Sequence, residues 1–147
     1  MNTFANTTSA ENHTQIPIDA LRDSDTRKKL SSSAFRLFVK FCDRWGLDES
    51  QRLALLGDLH RQTYQKWKRE GVNSLNRDQL ERISILLGVH KGLRLLFADH
   101  DSAERWIFSN NHDIPFGGVS PFEYLMQGSI NNLYEVRRYL DSWRGMK

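Results

Sequence analysis

The chain predicts an all-α fold, on three observations. Apolar residues recur at spacings of three and four in successive segments, as in Ala34, Phe35, Phe38, Phe41, Cys42 and Trp45. Glycines and capping residues punctuate those segments at helical lengths, with Gly46, Gly57, Gly71, Gly88 and Gly128 falling just after apolar or basic runs. No stretch alternates apolar and polar residues as a strand would, and no internal repeat is visible.

The 147 residues, 39% of them hydrophobic, suffice for one compact domain or two small ones packed together. Apolar runs are too short to span a bilayer, and no charged-then-apolar-then-small pattern opens the chain, so a cytoplasmic location is expected. The single cysteine, Cys42, excludes an internal disulfide and a cysteine-based zinc site, and its place on an apolar helical face predicts a buried, inert thiol. Five scattered histidines lack the spacing that puts two ligands on one helical face, and Asp99-His100-Asp101 reads as a polar connection. No catalytic, metal or cofactor residue is expected. The net charge of +3 is unevenly spread: residues 61–94 carry eight basic and three acidic side chains, residues 95–147 five and seven. A basic block ahead of an acidic end marks a candidate nucleic-acid footprint.

Residues 1–30, rich in Asn, Thr, Ser and Asp, read as a disordered tail. A first helix is expected from about Ser32 to Trp45, stopped by Gly46. Asp48 or Glu49 opens a short second helix carrying Leu53, Leu55 and Leu56 and ending at Gly57. The third runs over Arg61–Glu70 and closes at Gly71, which is helix-turn-helix order. With Tyr64 and Trp67 turned inward, Arg61, Gln62, Gln65, Lys66 and Arg69 remain on the opposite side. Arginine and glutamine can read guanine and adenine edges, and lysine can meet phosphate. The DNA-contact candidates are thus Arg61, Gln62, Thr63, Gln65, Lys66, Lys68 and Arg69. Residues 31–75 form the expected helix-turn-helix domain.

Asn76-Arg77-Asp78-Gln79 is a capping box for a fourth helix with Leu80, Ile83, Leu86 and Leu87, ended by Gly88. A further helix is expected from about His90 to Phe97, and another from Asp101 through Phe108. Ser120-Pro121 with Glu123 reads as a helix start, the hydroxyl as cap and proline at the first helical position. A last helix, opened by Ser129 or Asn131, carries Ile130, Leu133, Val136, Leu140 and Trp143 along one face. Residues 76–147 form the expected second domain.

The segment Leu56–Trp67 resembles the helix-turn-helix of Xre-class repressors, with Asp58 as an extra turn residue and His60 where serine is usual. Downstream, Leu80–Gly88, Leu93-Arg94-Leu95-Leu96-Phe97, Ala103, Trp106, Asn111, Phe116-Gly117-Gly118, Ser120-Pro121, Leu125, Gly128 and Val136–Leu140 resemble the Xre/MbcA/ParS family of bacterial antitoxins, in order and spacing. The resemblance implies an N-terminal helix-turn-helix, a C-terminal toxin-binding domain and a homodimer. It also implies a RES-type toxin partner that consumes NAD or transfers ADP-ribose, a higher toxin–antitoxin complex, and repression of the operon at operator DNA. No membrane partner is expected. Arg137, Arg138, Tyr139, Trp143 and Arg144, on the last helix, are the candidate toxin contacts, because aromatic and arginine side chains are favoured at interfaces. A stand-alone repressor without a toxin is the alternative, and an adaptor that captures toxin without DNA is another. An enzyme is not expected, since no nucleophile with its base and no phosphate-cradling loop can be assembled.

Overall fold

A computed structural model describes residues 23–145, and every regular element among them is a helix. In order these are α1 (Ser24–Arg44), α2 (Glu49–Leu55), α3 (Arg61–Glu70), α4 (Arg77–Leu96), α5 (His100–Phe108), α6 (Pro121–Met126) and α7 (Ile130–Gly145). Residues 1–22 of the expected tail lie outside the described residues.

Caps account for most boundaries. Asp48 and Asn76 each close a capping box with the glutamine three residues on, Gln51 and Gln79, at 2.8–2.9 Å. Ser120 Oγ accepts from Glu123 N–H at 3.0 Å with Pro121 at the first turn, the hydroxyl cap that the sequence predicts. Asp99 caps α5 by accepting from Ser102 N–H at 2.7 Å, so that helix begins at His100 rather than Asp101.

Two helices differ from expectation by more than one residue. α1 starts at Ser24, well ahead of Ser32, because Asp23 caps it, its carboxylate accepting from Asp25 N–H at 3.2 Å and the Thr26 hydroxyl at 2.7 Å. Its first turns lie largely outside the core and carry no apolar period, so only the buried part shows in the sequence. Ser31, fully buried, accepts the Leu75 N–H at 2.8 Å and pins the α3–α4 connection to α1.

The second difference is α4, which does not stop at Gly88 but runs unbroken from Arg77 to Leu96. A Cβ on Gly88 would stand 2.8 Å from the Arg137 guanidinium, and one on Gly92 would stand 3.2 Å from Leu140 Cβ. Both glycines are buried one helical turn apart, and α7 crosses α4 over them. Glycine here serves close approach of two helices rather than chain reversal.

α4 is the centre of the molecule, packed against α1 and α7. Leu80, Ile83, Ile85, Leu86, Val89 and Leu93 from α4 join Phe35, Phe38, Phe41 and Cys42 from α1 and Leu133, Val136 and Leu140 from α7 in one continuous core. Cys42 is fully buried, and burial pushes its thiol up to about 12, as an inert core residue requires.

Arg82 is the polar hub of this packing. Only 10% of its side chain is exposed; Nε donates to Asp78 Oδ2 at 2.8 Å and one terminal amine donates to the Gly128 carbonyl at 2.7 Å. A Cβ on Gly57 would lie 3.1 Å from Arg82 Nε, so the α2–α3 turn rests against the same guanidinium.

Urea denaturation should separate these roles. Gly92→Val forces branched carbons against Leu140 and is expected to cost about 2–3 kcal/mol. Gly88→Ala meets only the flexible end of Arg137 and gains helix propensity, so its unfolding free energy should change by less than about 1 kcal/mol. Arg82→Met leaves the Gly128 carbonyl and Asp78 without their donor and should cost about 2–4 kcal/mol.

Candidate functional site

The turn before α3 decides how that helix is presented. Leu56 N–H closes α2 on the Arg52 carbonyl at 3.2 Å, and Gly57 N–H bonds the Ala54 carbonyl at 3.0 Å. Gly57 and Asp58 then take φ of 80° and 60°, and Leu59 N–H returns to the Leu53 carbonyl at 3.1 Å. Asp58, the extra residue, is absorbed in the left-handed region, which aspartate tolerates better than most side chains. His60 caps α3, its Nδ1 accepting from Gln62 N–H at 3.3 Å.

The inner face of α3 is held by aromatic packing. Tyr64 is 1% exposed, edge-on to Phe35 at 5.8 Å, and Trp67 meets the same ring at 5.6 Å. Burial holds the Tyr64 phenol above its ordinary pKa, opposed by Arg52, whose guanidinium lies 3.3 Å from the hydroxyl. Arg52 also donates to the Leu47 carbonyl and pairs with Asp43 at 2.7 Å, which ties α1, α2 and α3 together.

On the outer face Arg61, Gln62, Lys66 and Arg69 are exposed and Gln65 is half-buried. A helix turning 100° per residue gathers these five on one side. Thr63 and Lys68 fall on the flanks, with Lys68 Nζ 5.8 Å from the Tyr64 ring centroid. Glu49, at the start of α2, reaches into this face: its Oε1 accepts from Arg61 Nε at 2.8 Å and Gln65 Nε2 at 3.3 Å. Nothing in the sequence paired Glu49 with residues a dozen or more positions away. Gln62, Lys66 and Arg69 form no side-chain hydrogen bond or ion pair among the described residues, and are open to a ligand.

A second surface forms on α7 and the loop before α6. Asn111 N–H to the Val119 carbonyl (3.1 Å) and Gly118 N–H to the Asn111 carbonyl (2.8 Å) close that loop at its base. The Tyr139 hydroxyl donates to Asp113 Oδ2 at 2.6 Å, and burial together with that carboxylate keeps the phenol above its ordinary pKa. Its ring stacks on Trp106 at 5.8 Å and stands edge-on to Phe116 at 5.0 Å and Trp143 at 6.2 Å. Beside this cluster Trp143 is 47% exposed and Ile114, at the loop tip, 91% exposed. Ile114 was not among the sequence candidates; a large apolar residue in a Pro- and Gly-rich loop is the signal that would have found it.

The five candidates on α7 do not form one patch. Tyr139 and Trp143 lie along one flank of the buried Leu133–Val136–Leu140 stripe. Arg137 and Arg144 lie along the other and share Asp141, at 3.8 and 3.4 Å. Arg138 is exposed on the back of the helix. Arg137 is also the side chain laid over Gly88, so it belongs partly to the helix seam.

Among the described residues no group of three or more His, Cys, Asp or Glu is arranged to hold a metal ion, and no helix is long and apolar enough to cross a membrane. Residues 22–88 match the antitoxin Xre-like helix-turn-helix domain, and residues 92–145 match the antitoxin Xre/MbcA/ParS C-terminal toxin-binding domain. The two matches meet within α4, between Gly88 and Gly92. The uncharacterized protein y4oB of Sinorhizobium fredii (strain NBRC 101917 / NGR234) is 39% identical over 108 residues, which cover 74% of this chain and 81% of the relative. A DNA-binding module and a toxin-binding module thus share one central helix, and the chain belongs to the Xre/MbcA/ParS family of antitoxins.

Proposed function

We propose that this chain neutralises a RES-type toxin through its C-terminal module and, as a homodimer and within the larger toxin–antitoxin complex, represses its own operon through α3. The observation that carries the proposal is the pairing of two unlike exposed surfaces on one core. One is the amide-and-cation face of α3, the other the aromatic flank of α7 with Ile114. The RES type of the toxin rests on the family resemblance.

At the operator, Gln62, Lys66 and Arg69 are the open readers of α3, and Arg61 is held in reserve by Glu49. The Arg61 side chain is 72% exposed, so its pair with Glu49 is a surface pair of small net strength that a DNA phosphate can displace. Thr63, Gln65 and Lys68 complete the contact set at its edges. At the toxin, Trp143, Tyr139 and Ile114 supply an apolar anchor, and Arg137, Arg138 and Arg144, on the other faces of α7, supply cationic contacts where the toxin wraps the helix. The toxin's active site is covered by this part of the antitoxin.

Gel shifts on the chain's own promoter test the first half. Arg61→Ala with Lys66→Ala should weaken binding roughly tenfold or more and flatten its salt dependence. Glu49→Gln, which removes the competing carboxylate, should tighten it; promoter binding indifferent to both changes removes α3 from the interface. Co-expression with a RES-type toxin, sought in the reading frame beside the gene, tests the second half. Trp143→Ala with Ile114→Ser should abolish growth rescue while circular dichroism stays unchanged, and full rescue would place the toxin contact elsewhere.

A further inference from the structure

Where α1, α4 and α5 meet, the surface opens into a cavity of about 260 Å³ that neither surface described above uses. Arg44, Trp45, His90, Arg94, Asp99 and His100 are among the residues that line it. Arg44 ends α1 and Arg94 lies in the last turn of α4; both are exposed, and neither forms an ion pair among the described residues. By contrast, Arg52, Arg61, Arg82, Arg137 and Arg144 each meet a carboxylate within 4 Å.

His90 is set as a donor. Trp45 Nε1 donates to His90 Nδ1 at 3.2 Å, which leaves the proton of neutral His90 on Nε2. The His100 ring lies 4.7 Å from the Trp45 ring, which fixes its position on the cavity wall. Burial, then the charges of Arg94 and Arg44, hold His90 below its ordinary pKa, so His90 lies in the field of both guanidiniums. Asp99 is the one carboxylate on the wall, and its Oδ1 is occupied by the Ser102 N–H. Two unpaired guanidiniums and two imidazoles around a space of this size are chemistry for a phosphate-type oxyanion.

We propose that this cavity binds the phosphate group of a small molecule, with Arg44 and Arg94 as its charge partners and His90 and His100 as further donors. Bound there, the anion bridges the last turn of α1 and the first turn of α5, and so fastens the two modules together at a point remote from α3 and from the Tyr139 cluster.

The test follows the imidazole resonances of His90 and His100 in the full chain during titration with inorganic phosphate against chloride at equal ionic strength. Saturable shifts are expected, with a rise in the His90 pKa as the anion offsets Arg44 and Arg94. Arg44→Gln or Arg94→Gln should each weaken binding about tenfold, and the double variant should abolish it. Arg61→Gln with Lys66→Gln, on α3, should leave it intact. A parallel titration with adenosine monophosphate separates the sources: tighter binding points to a nucleotide-borne phosphate, equal binding to the free ion. Absence of saturation, equal affinity in the double variant, or shifts produced only by duplex DNA would overturn the proposal.

Discussion

The close approach of α7 to α4 over Gly88 and Gly92 is the contact on which the architecture turns. With no Cβ at either position, Leu140 comes to within 3.2 Å of where the Gly92 side chain would begin, and Arg137 lies flat across Gly88. A branched side chain at Gly92 would hold the helices apart and open the Leu133–Val136–Leu140 stripe to water, at a cost of about 25 cal/mol per Å² of apolar surface left exposed. Because the glycines face inward and their backbone stays helical, α4 keeps its hydrogen bonds and remains one rod. Both modules pack along that rod, α1 reaching His90 through Phe41 and Trp45, and α7 reaching from Glu81, through Tyr134, to Gly92, through Leu140. They share a core rather than a linker.

Arg82 extends the same coupling to the polar groups. Its guanidinium joins Asp78 on α4 to the carbonyl of Gly128 ahead of α7, and Gly57 packs against it from the α2–α3 turn. The backbone that aims α3 therefore rests on the group that seats α7. An arginine suits this place because its planar fork serves several partners at once while its stem fills apolar space.

The surfaces differ in how firmly their side chains are held. Tyr139 is fixed by a 2.6 Å bond to Asp113 and by three aromatic neighbours, so the Trp143–Ile114 flank is presented on a rigid base. Such preorganisation reduces the entropy lost when a partner docks. The α3 face is looser. Glu49 orients Arg61 and Gln65 through exposed contacts, and Lys66 and Arg69 project freely, as suits side chains that exchange water and counterions for phosphate.

The all-helical class, the Asn76 and Ser120 caps, the span of α3 and the inward turn of Tyr64 were legible in the sequence by itself, and the start of α2 was narrowed to Asp48 or Glu49. Each depends on residues within a turn or two of one another, where spacing maps directly onto geometry. So was the ordered set of motifs that marks the family. Tertiary structure decided the rest. Gly88 reads as a helix stop in one dimension, and only the arrival of Arg137 from α7 shows it to be a crossing point. The partnership of Glu49 with Arg61 and Gln65, the reach of Arg82 to Gly128 and the division of the α7 candidates between two flanks have the same origin. Local propensity and capping act between neighbours along the chain, whereas burial and ion pairing act between neighbours in space, and the latter exist only once the helices have packed.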